Sequence, residues 1–451
     1  MTPDARVHAC LECAFLGGLG KGQSLAVHVQ ETGHRFAAEW AHYQVFCHAC
    51  GDYVYDSEFD AIVREENARA RAAAFSAQAK PFRTWHPSER DAAVLSKHGL
   101  RADTPQGSAL RGLINMGSTC YMNSVLQMLI HNPLLRNYFL GDSHNRLLCQ
   151  NRAKNTCLAC HIDELILLLF SGDRAPITPH RFLHSMWQYA ESLAGYQQQD
   201  AHEFLISILN KIHADCNGSE NENECACVIH RVFSGRMRSD VTCLTCGNVS
   251  RRADPFFDIS LDVHANDTGR ATLLECLDHY TSIEHLGEER VFCEKCNSTE
   301  PSHKQLSIAE LPAVLTLHLK RFKHEGMESH KISTLVDFPG LYMDMSPYTA
   351  EEIGRQSSTV NGDGVSDASP PSDTSDALTY ELLGVVIHKG EIDSGHYINY
   401  VRENDCWFKC DDDKITNVSL REVLDQEAYL LLYGRRQLLY RAAAPEDAET
   451  L

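Results

Sequence analysis

Apolar side chains recur at Met122, Val125, Leu126, Leu129 and Ile130, the i, i+3, i+4, i+7, i+8 rhythm of a helix with one buried face, and Pro133 marks its end. The rhythm returns at Phe204, Leu205, Ile208, Leu209 and Ile212, with Asp200 placed where a carboxylate complements the helix start. Later the period drops to two. In LPAVLTLHLKRF, Leu315, Leu317 and Leu319 fall on one face of an expected strand and Thr316, His318 and Lys320 on the other. YELLGVVIHKG reads as a strand of branched residues, and Tyr397 to Val401 pairs with Trp407 to Cys410 across the RENDC turn. REVLDQEAYLLLYGRR closes the pattern as a helix and a strand.

Other stretches lack such patterning. Residues 57–98 are rich in Ala, Arg and Glu and include VREENARARAAAFSAQAK, which predicts a connector helix ending near Pro81, within a connector that spans 57–109. Residues 351–377 are Ser, Gly, Asp and Pro rich, and a disordered insertion is expected there. Residues 437–451 are expected to form a frayed tail.

A formal net charge of -20 on 451 residues repels phosphate backbones, which argues against direct nucleic-acid binding. The run Leu165 to Phe170 is far shorter than the roughly 20 apolar residues a membrane span requires, so no membrane partner is expected. The opening MTPDARVHACLECAFLGG lacks the layout of a secretory signal, and a reducing compartment is expected. The 18 cysteines, beside 24 histidines, are then better read as metal ligands than as disulfide partners.

Their spacing supports zinc. Within residues 1–56, Cys10-x2-Cys13 and His28-x5-His34 make a complete set of four ligands, while Cys47-x2-Cys50 supplies half of another. His144, Cys149, Cys157 and Cys160 form a second closed set. His213, Cys225, Cys227 and His230 form a third, for which structural histidines remain an alternative. Cys243-x2-Cys246-Gly and Cys293-x2-Cys296-Asn pinch opposite ends of a hairpin as a four-cysteine zinc ribbon.

One cysteine outside these sets, Cys120, stands at a helix start behind a Gly-rich turn, where the helix dipole stabilises a thiolate. That position alone fits a buried structural thiol better. A cysteine hydrolase also needs a histidine, a group that orients it and donors for an oxyanion. His396 leads into one strand of the Tyr397 hairpin, Gly395 before it removes side-chain bulk, and Asp411 ends the neighbouring strand. Asn115 and the Cys120 N–H are candidate oxyanion donors. His202 and His318 read as packing residues of a helix and a strand.

GLINMGSTCYMNSVLQ, and DSGHYINYVR with WFKCDDDKI, resemble the cysteine and histidine boxes of ubiquitin-specific proteases. QQDAHEF, LHLKRF and the paired cysteine knuckles fit that family in the same order, over residues 110–436. The resemblance implies an α+β fold, a papain-like hand with helical thumb, β-rich palm and zinc-ribbon fingers, preceded by a small α/β zinc finger. It implies Cys120 as nucleophile, His396 as general base and then acid, Asp411 as orienting residue and Asn115 as oxyanion donor. Ubiquitin would lie across palm and fingers with its C-terminal tail in the cleft. The N-terminal segment is similar to the zinc finger of ubiquitin proteases, and with the extra ligand sets the match narrows to deubiquitinases of SAGA-type coactivator complexes. That implies four or five structural zinc ions, ubiquitinated histone H2B in nucleosomes as substrate, adaptor subunits as partners, and a nuclear location.

The sequence departs from the finger pattern. Gly18 and Ser24 stand where the family carries a further Cys and His, and the Cys-x-His partner of Cys47 and Cys50 would fall upstream of Met1. The expectation is a misassigned start or a degenerate finger. Leu19, Gly20 and Lys21 stand where an Arg would grip a free ubiquitin C-terminus, so this finger is expected to bind protein partners instead.

Overall fold

The computed structural model describes residues 7–69, 110–360 and 378–437, except 19–23, 40–43, 55, 57, 60, 64, 67–68, 147, 152–155, 172–174, 196, 217, 220–224, 265–268, 288–289, 326–327, 392–393 and 404–405. The connector beyond 69, the insertion at 361–377 and the tail from 438 lie outside the described residues. Two compact units emerge, residues 1–106 and 107–451.

The first unit is a five-stranded antiparallel sheet in the order β2-β1-β3-β4-β5, built from β1 (Val7–Cys10), β2 (Leu16–Gly18), β3 (Phe36–Glu39), β4 (Val45–Cys47) and β5 (Asp52–Val54). Helix α1 (Ser24–Thr32) buries Leu25 and His28.

The second unit opens with helices. They are α2 (Cys120–Ile130), α3 (Pro133–Leu140), α4 (Leu158–Leu169), α5 (His180–Tyr189), α6 (Ala201–Asp215) and α7 (Val228–Phe233). Pro133 both ends α2 and occupies the first turn of α3, where Asn132 caps the helix by accepting from the N–H of Leu134 and Leu135. Among the described residues no helix is long and apolar enough to cross a membrane.

Strands follow. β6 (Gly235–Cys243) and β7 (Val249–Phe256) run out into a ribbon, and β8 (Ile259–Asp262) returns to the centre. After β9 (Ala271–Thr272) and α8 (Leu273–Thr281), the ribbon is completed by β10 (Ile283–His285), the β11 (Val291–Cys293) and β12 (Ser298–Glu300) hairpin, and β13 (Ser302–Glu310). Its sheet has the order β10-β13-β6-β7.

The central sheet takes β14 (Val314–Lys320), with the hairpin of β15 (Phe322–Glu325) and β16 (Glu328–Lys331) and the short β17 (Val336–Asp337) and β18 (Met343–Asp344) following it. Helix α9 (Ala350–Val360) precedes β19 (Thr379–Lys389), β20 (His396–Glu403), β21 (Cys406–Asp411), β22 (Lys414–Val418), α10 (Leu420–Leu424) and β23 (Ala428–Arg435). The order is β22-β21-β20-β19-β23-β14-β8, antiparallel except for the β14–β8 pair.

This sheet divides two apolar cores. Val314, Val386, Leu430 and Leu432 face the core shared with α2 to α7, and Leu315, Leu317, Leu319, Val385, Leu431 and Tyr433 face the other. The outer side of β14, expected to be polar, is therefore covered, and Thr316 is 1% exposed. Leu317→Ala would cost about 2–5 kcal/mol at such a site.

Two expectations are corrected. Helix α2 has not one buried face but a buried residue at every position, because it lies between the sheet and α6. Its polar residues are accommodated by backbone partners, Asn123 through Leu113, Ser124 through Tyr121 and Gln127 through Arg111. Residues 351–360, expected to lie in a disordered insertion, instead belong to the helix Ala350–Val360. Thr349 accepts from the N–H of Glu352, Ala350 is buried, and Glu351 and Glu352 complement the helix start.

Candidate active site and zinc centres

The approach to Cys120 is set by unusual backbone. Gly117 has φ 107° and Ser118 φ 51°, left-handed conformations that turn the chain sharply into α2. Thr119 occupies the N-cap position but makes no capping bond. Its hydroxyl instead accepts from the Met116 N–H at 2.9 Å and lies 3.3 Å from Asn115 Oδ1. Asn115 Oδ1 also accepts from the N–H of Gly117 and Thr119, so this one side chain organises the turn. Cys120 itself is 3% exposed.

His396 is the first residue of β20, opposite Lys389 of β19. The β20–β21 register, with Asn399 opposite Cys410, carries Asp411 alongside it. His396 Nε2 lies 2.8 Å from Asp411 Oδ1. The Cys120 contact first, and then Asp411, hold the imidazolium form up to about 9 against the opposing effect of burial. Burial works to raise the Asp411 carboxyl, but hydrogen bonds from His396 and Lys409 outweigh it and leave Asp411 below the usual carboxylate range. The Lys409 ammonium sits 3.1 Å from Asp411 Oδ2, so both carboxylate oxygens are engaged. The bulk that Gly395 avoids belongs to a different imidazole than expected: a Cβ there would come within 1.9 Å of His388 Nε2.

Asp412 was not singled out by the sequence, although the Asp411-Asp412-Asp413 run is its only signal. It has φ 52°, tolerable for Asp in a tight turn, and its backbone carbonyl accepts from Leu113 N–H. Its carboxylate accepts from Asn115 Nδ2 and from Asn123 Nδ2, each at 2.9 Å. The Asn115 amide proposed for an oxyanion is thus oriented by Asp412. Gly112 makes the close approach possible, since a Cβ there would meet the Asp413 carbonyl at 2.2 Å.

The four complete ligand sets of the sequence converge in space, each with its donor atoms within 4.8 Å of one another. A tetrahedral zinc with Zn–S of about 2.3 Å and Zn–N of about 2.0–2.1 Å has donor–donor edges of about 3.6 Å for S and N and about 3.8 Å for two sulfurs. Observed separations are 3.3 and 3.5 Å in the Cys10 set, 3.3 and 3.6 Å in the His144 set, 3.3 to 3.7 Å in the His213 set, and 3.6 and 3.9 Å in the Cys243 set. The donor sets fit zinc.

Three Cys-x2-Cys turns share one shape. In each, the residue after the second cysteine is left-handed, Gly51, Gly247 or Asn297, and its N–H donates to the carbonyl of the first cysteine. Cys47 and Cys50 therefore form a knuckle like those of the ribbon. The Cys50 N–H and thiol, and the Ala49 N–H, hold the Cys47 thiol below its ordinary range.

His202, Asp258 and His318 form a further cluster that the sequence did not suggest. Its geometry differs. His202 Nε2 bonds to Asp258 at 2.9 Å, Ser260 Oγ bridges Asp258 and His318, and the two imidazoles stack at 3.9 Å and 14°. Parallel stacked rings share no point at bonding distance lying in both ring planes, so this is a hydrogen-bonded network tying α6 to β8 and β14.

Residues 111–433 match the family model described as ubiquitin carboxyl-terminal hydrolase, and residues 2–59 match the Zn-finger in ubiquitin-hydrolases and other protein. Ubiquitin carboxyl-terminal hydrolase 22 of Homo sapiens is 38% identical over 466 residues, covering 96% of this chain and 86% of the relative. Ubiquitin carboxyl-terminal hydrolase nonstop of Drosophila melanogaster is 36% identical over 472 residues, covering 96% of this chain and 89% of the relative. A solved SAGA Ubp8/Sgf11/Sus1/Sgf73 DUB module bound to ubiquitin aldehyde is similar with a TM-score of 0.62 at 32% identity, over 96% of this chain and 88% of that one.

Proposed function

We propose that this chain, which belongs to the ubiquitin carboxyl-terminal hydrolase family, cleaves the isopeptide bond after the terminal glycine of ubiquitin with Cys120 as its nucleophile. The observation that carries this reading is the His396 ring, held by Asp411 at 2.8 Å and kept protonated to higher pH chiefly by the neighbouring Cys120. In it the Cys120 sulfur attacks the glycine carbonyl, the Cys120 N–H and the Asp412-oriented Asn115 amide receive the oxyanion, and His396 protonates the leaving lysine. His396 then activates the water that releases ubiquitin from the acyl-enzyme.

The likeness to SAGA modules extends the proposal to assembly with adaptor subunits, a nuclear site of action and monoubiquitinated histone H2B as substrate. Zinc is structural here: the match to a ubiquitin-hydrolase zinc finger and the tetrahedral donor spacings support four ions, and the Cys47–Cys50 knuckle offers half of a fifth site. Elemental analysis of the purified chain should return about four zinc ions per chain, or about five if the Cys47 site is filled; two or fewer would remove this assignment.

The decisive test is labelling with a ubiquitin vinyl electrophile in the presence of adaptor subunits. Wild-type protein should form a covalent adduct on Cys120 and hydrolyse ubiquitin–fluorophore, and Cys120→Ala should do neither. A wild-type chain that stays unlabelled ends the proposal.

A further inference from the structure

Gln198 stands outside every role assigned above, two residues before the Asp200 cap of α6. Its amide reaches across to the segment that leads into His396. Nε2 donates to the Gly395 carbonyl at 2.6 Å, and Oε1 accepts from the Gly395 N–H at 2.9 Å. One side chain thus satisfies both backbone groups of the residue immediately before the proposed base.

That residue has few other means of being held. Gly395 offers no side chain to pack, and a Cβ added to it would collide with His388. The segment folds back on itself where Gly390, at φ +92°, packs against Gly395 and Ser394. Lys331 secures the far end, its ammonium donating to the carbonyls of His388 at 2.6 Å and Gly390 at 3.1 Å. The near end, next to His396, is secured by Gln198.

The mount for Gln198 is rigid. Asp200 accepts from the His202 N–H at 2.6 Å and from the Tyr429 hydroxyl at 2.6 and 2.8 Å, and Tyr429 belongs to the central strand β23. His202 is in turn bonded to Asp258. The amide is therefore carried by a segment fixed to the sheet at two points. Asn would be one methylene too short to span the same gap, and a carboxylate would set an oxygen against the Gly395 carbonyl.

We propose that Gln198 is a positioning residue for His396, fixing the imidazole against Cys120 through the backbone of Gly395. This rests on the reading of Cys120 and His396 as nucleophile and base. A displacement of about 1 Å at a reacting group can lower the rate by roughly 100-fold, and the substrate-binding surface need not change.

The test uses the full-length chain with Gln198→Ala and Gln198→Glu, the second nearly isosteric and retaining an acceptor for the Gly395 N–H. Alkylation of Cys120 by iodoacetamide is followed from pH 6 to 10 by mass spectrometry of the Cys120 peptide, alongside ubiquitin–fluorophore turnover. Both variants should alkylate about tenfold more slowly than wild type near pH 7. Their kcat should fall roughly 10- to 100-fold with KM within about twofold, and zinc content should be unchanged. A pH profile that overlays wild type in both variants, or a loss confined to KM, overturns the proposal. A wild-type chain that ubiquitin electrophiles fail to label overturns the underlying reading instead.

Discussion

Cys120 lies on a helix buried at every position, whereas the His396 side chain is 39% exposed and opens a strand behind a glycine segment. The cysteine half is fixed by the interior: α2 packs between sheet and helices, and Asn115, Asn123 and Gly112 lock its approach to the Asp412 turn. The histidine half is fixed by separate polar contacts, Asp411 and Lys409 from the neighbouring hairpin strand and Gln198 and Lys331 from distant parts of the chain. The nucleophile is thereby positioned as part of the core, where any displacement costs packing energy. The base is positioned by hydrogen bonds at a partly solvated edge, each worth about 0.5–1.5 kcal/mol net, or about 1.5–3 kcal/mol where a charged group takes part. A partner or substrate that shifts the site would move the histidine half first.

The largest effects should come from the two adjacent carboxylates, which serve opposite halves. Asp411→Asn keeps the shape but gives His396 Nε2 an amide in place of a carboxylate, and should lower kcat on the order of 10³-fold with little change in melting temperature. Asp412→Ala should lower kcat on the order of 10²-fold by releasing the Asn115 amide from its orientation. It should also cost about 1–3 kcal/mol of stability, since Asn123, 2% exposed, loses its charged acceptor. Turnover of ubiquitin–fluorophore and urea unfolding measure the two quantities separately. If Asp411→Asn proves the more destabilising of the two, the division into a packed half and a hydrogen-bonded half is wrong.

The same division explains what the sequence made legible. Zinc ligands could be grouped because tetrahedral sites impose short local spacings, and the β20–β21 hairpin because its turn is short; both are local rules. Cys120, His396 and Asp411 stood in blocks that resemble one family, so they could be singled out without knowing their contacts. Asp412 could not, since its partners Asn115 and Asn123 lie nearly three hundred residues away. Gly395 was noted only for its lack of bulk and Gln198 only within a motif, and because 197 positions separate them their contact could not be read. The His202 network needed the parallel β14–β8 pairing, in which His318 stands opposite Ser260. Helix α9 was hidden for a different reason: its Ser-rich end resembles the insertion that follows, while its order comes from the Thr349 cap and the ribbon strand β13 beneath it.

The smallest signal, and the one that probes the junction between the halves, is the titration of His396. Its imidazolium is held up to about 9 from an ordinary 6.5, first by Cys120 and then by Asp411. A histidine raised in the folded state contributes stability that is fully present below about 6.5 and is lost as pH rises through about 9. NMR of ¹³C-labelled histidine should therefore show the His396 resonance titrating near 9 in the wild-type chain. In Cys120→Ala it should fall further back toward 6.5 than in Asp411→Asn, because the larger of the two supports has been removed. The two halves would then be joined chiefly by the sulfur–imidazole contact. The opposite ranking, with Asp411→Asn moving the titration further, would mean that His396 takes its charge from its own edge of the sheet and that the buried nucleophile has little hold on it.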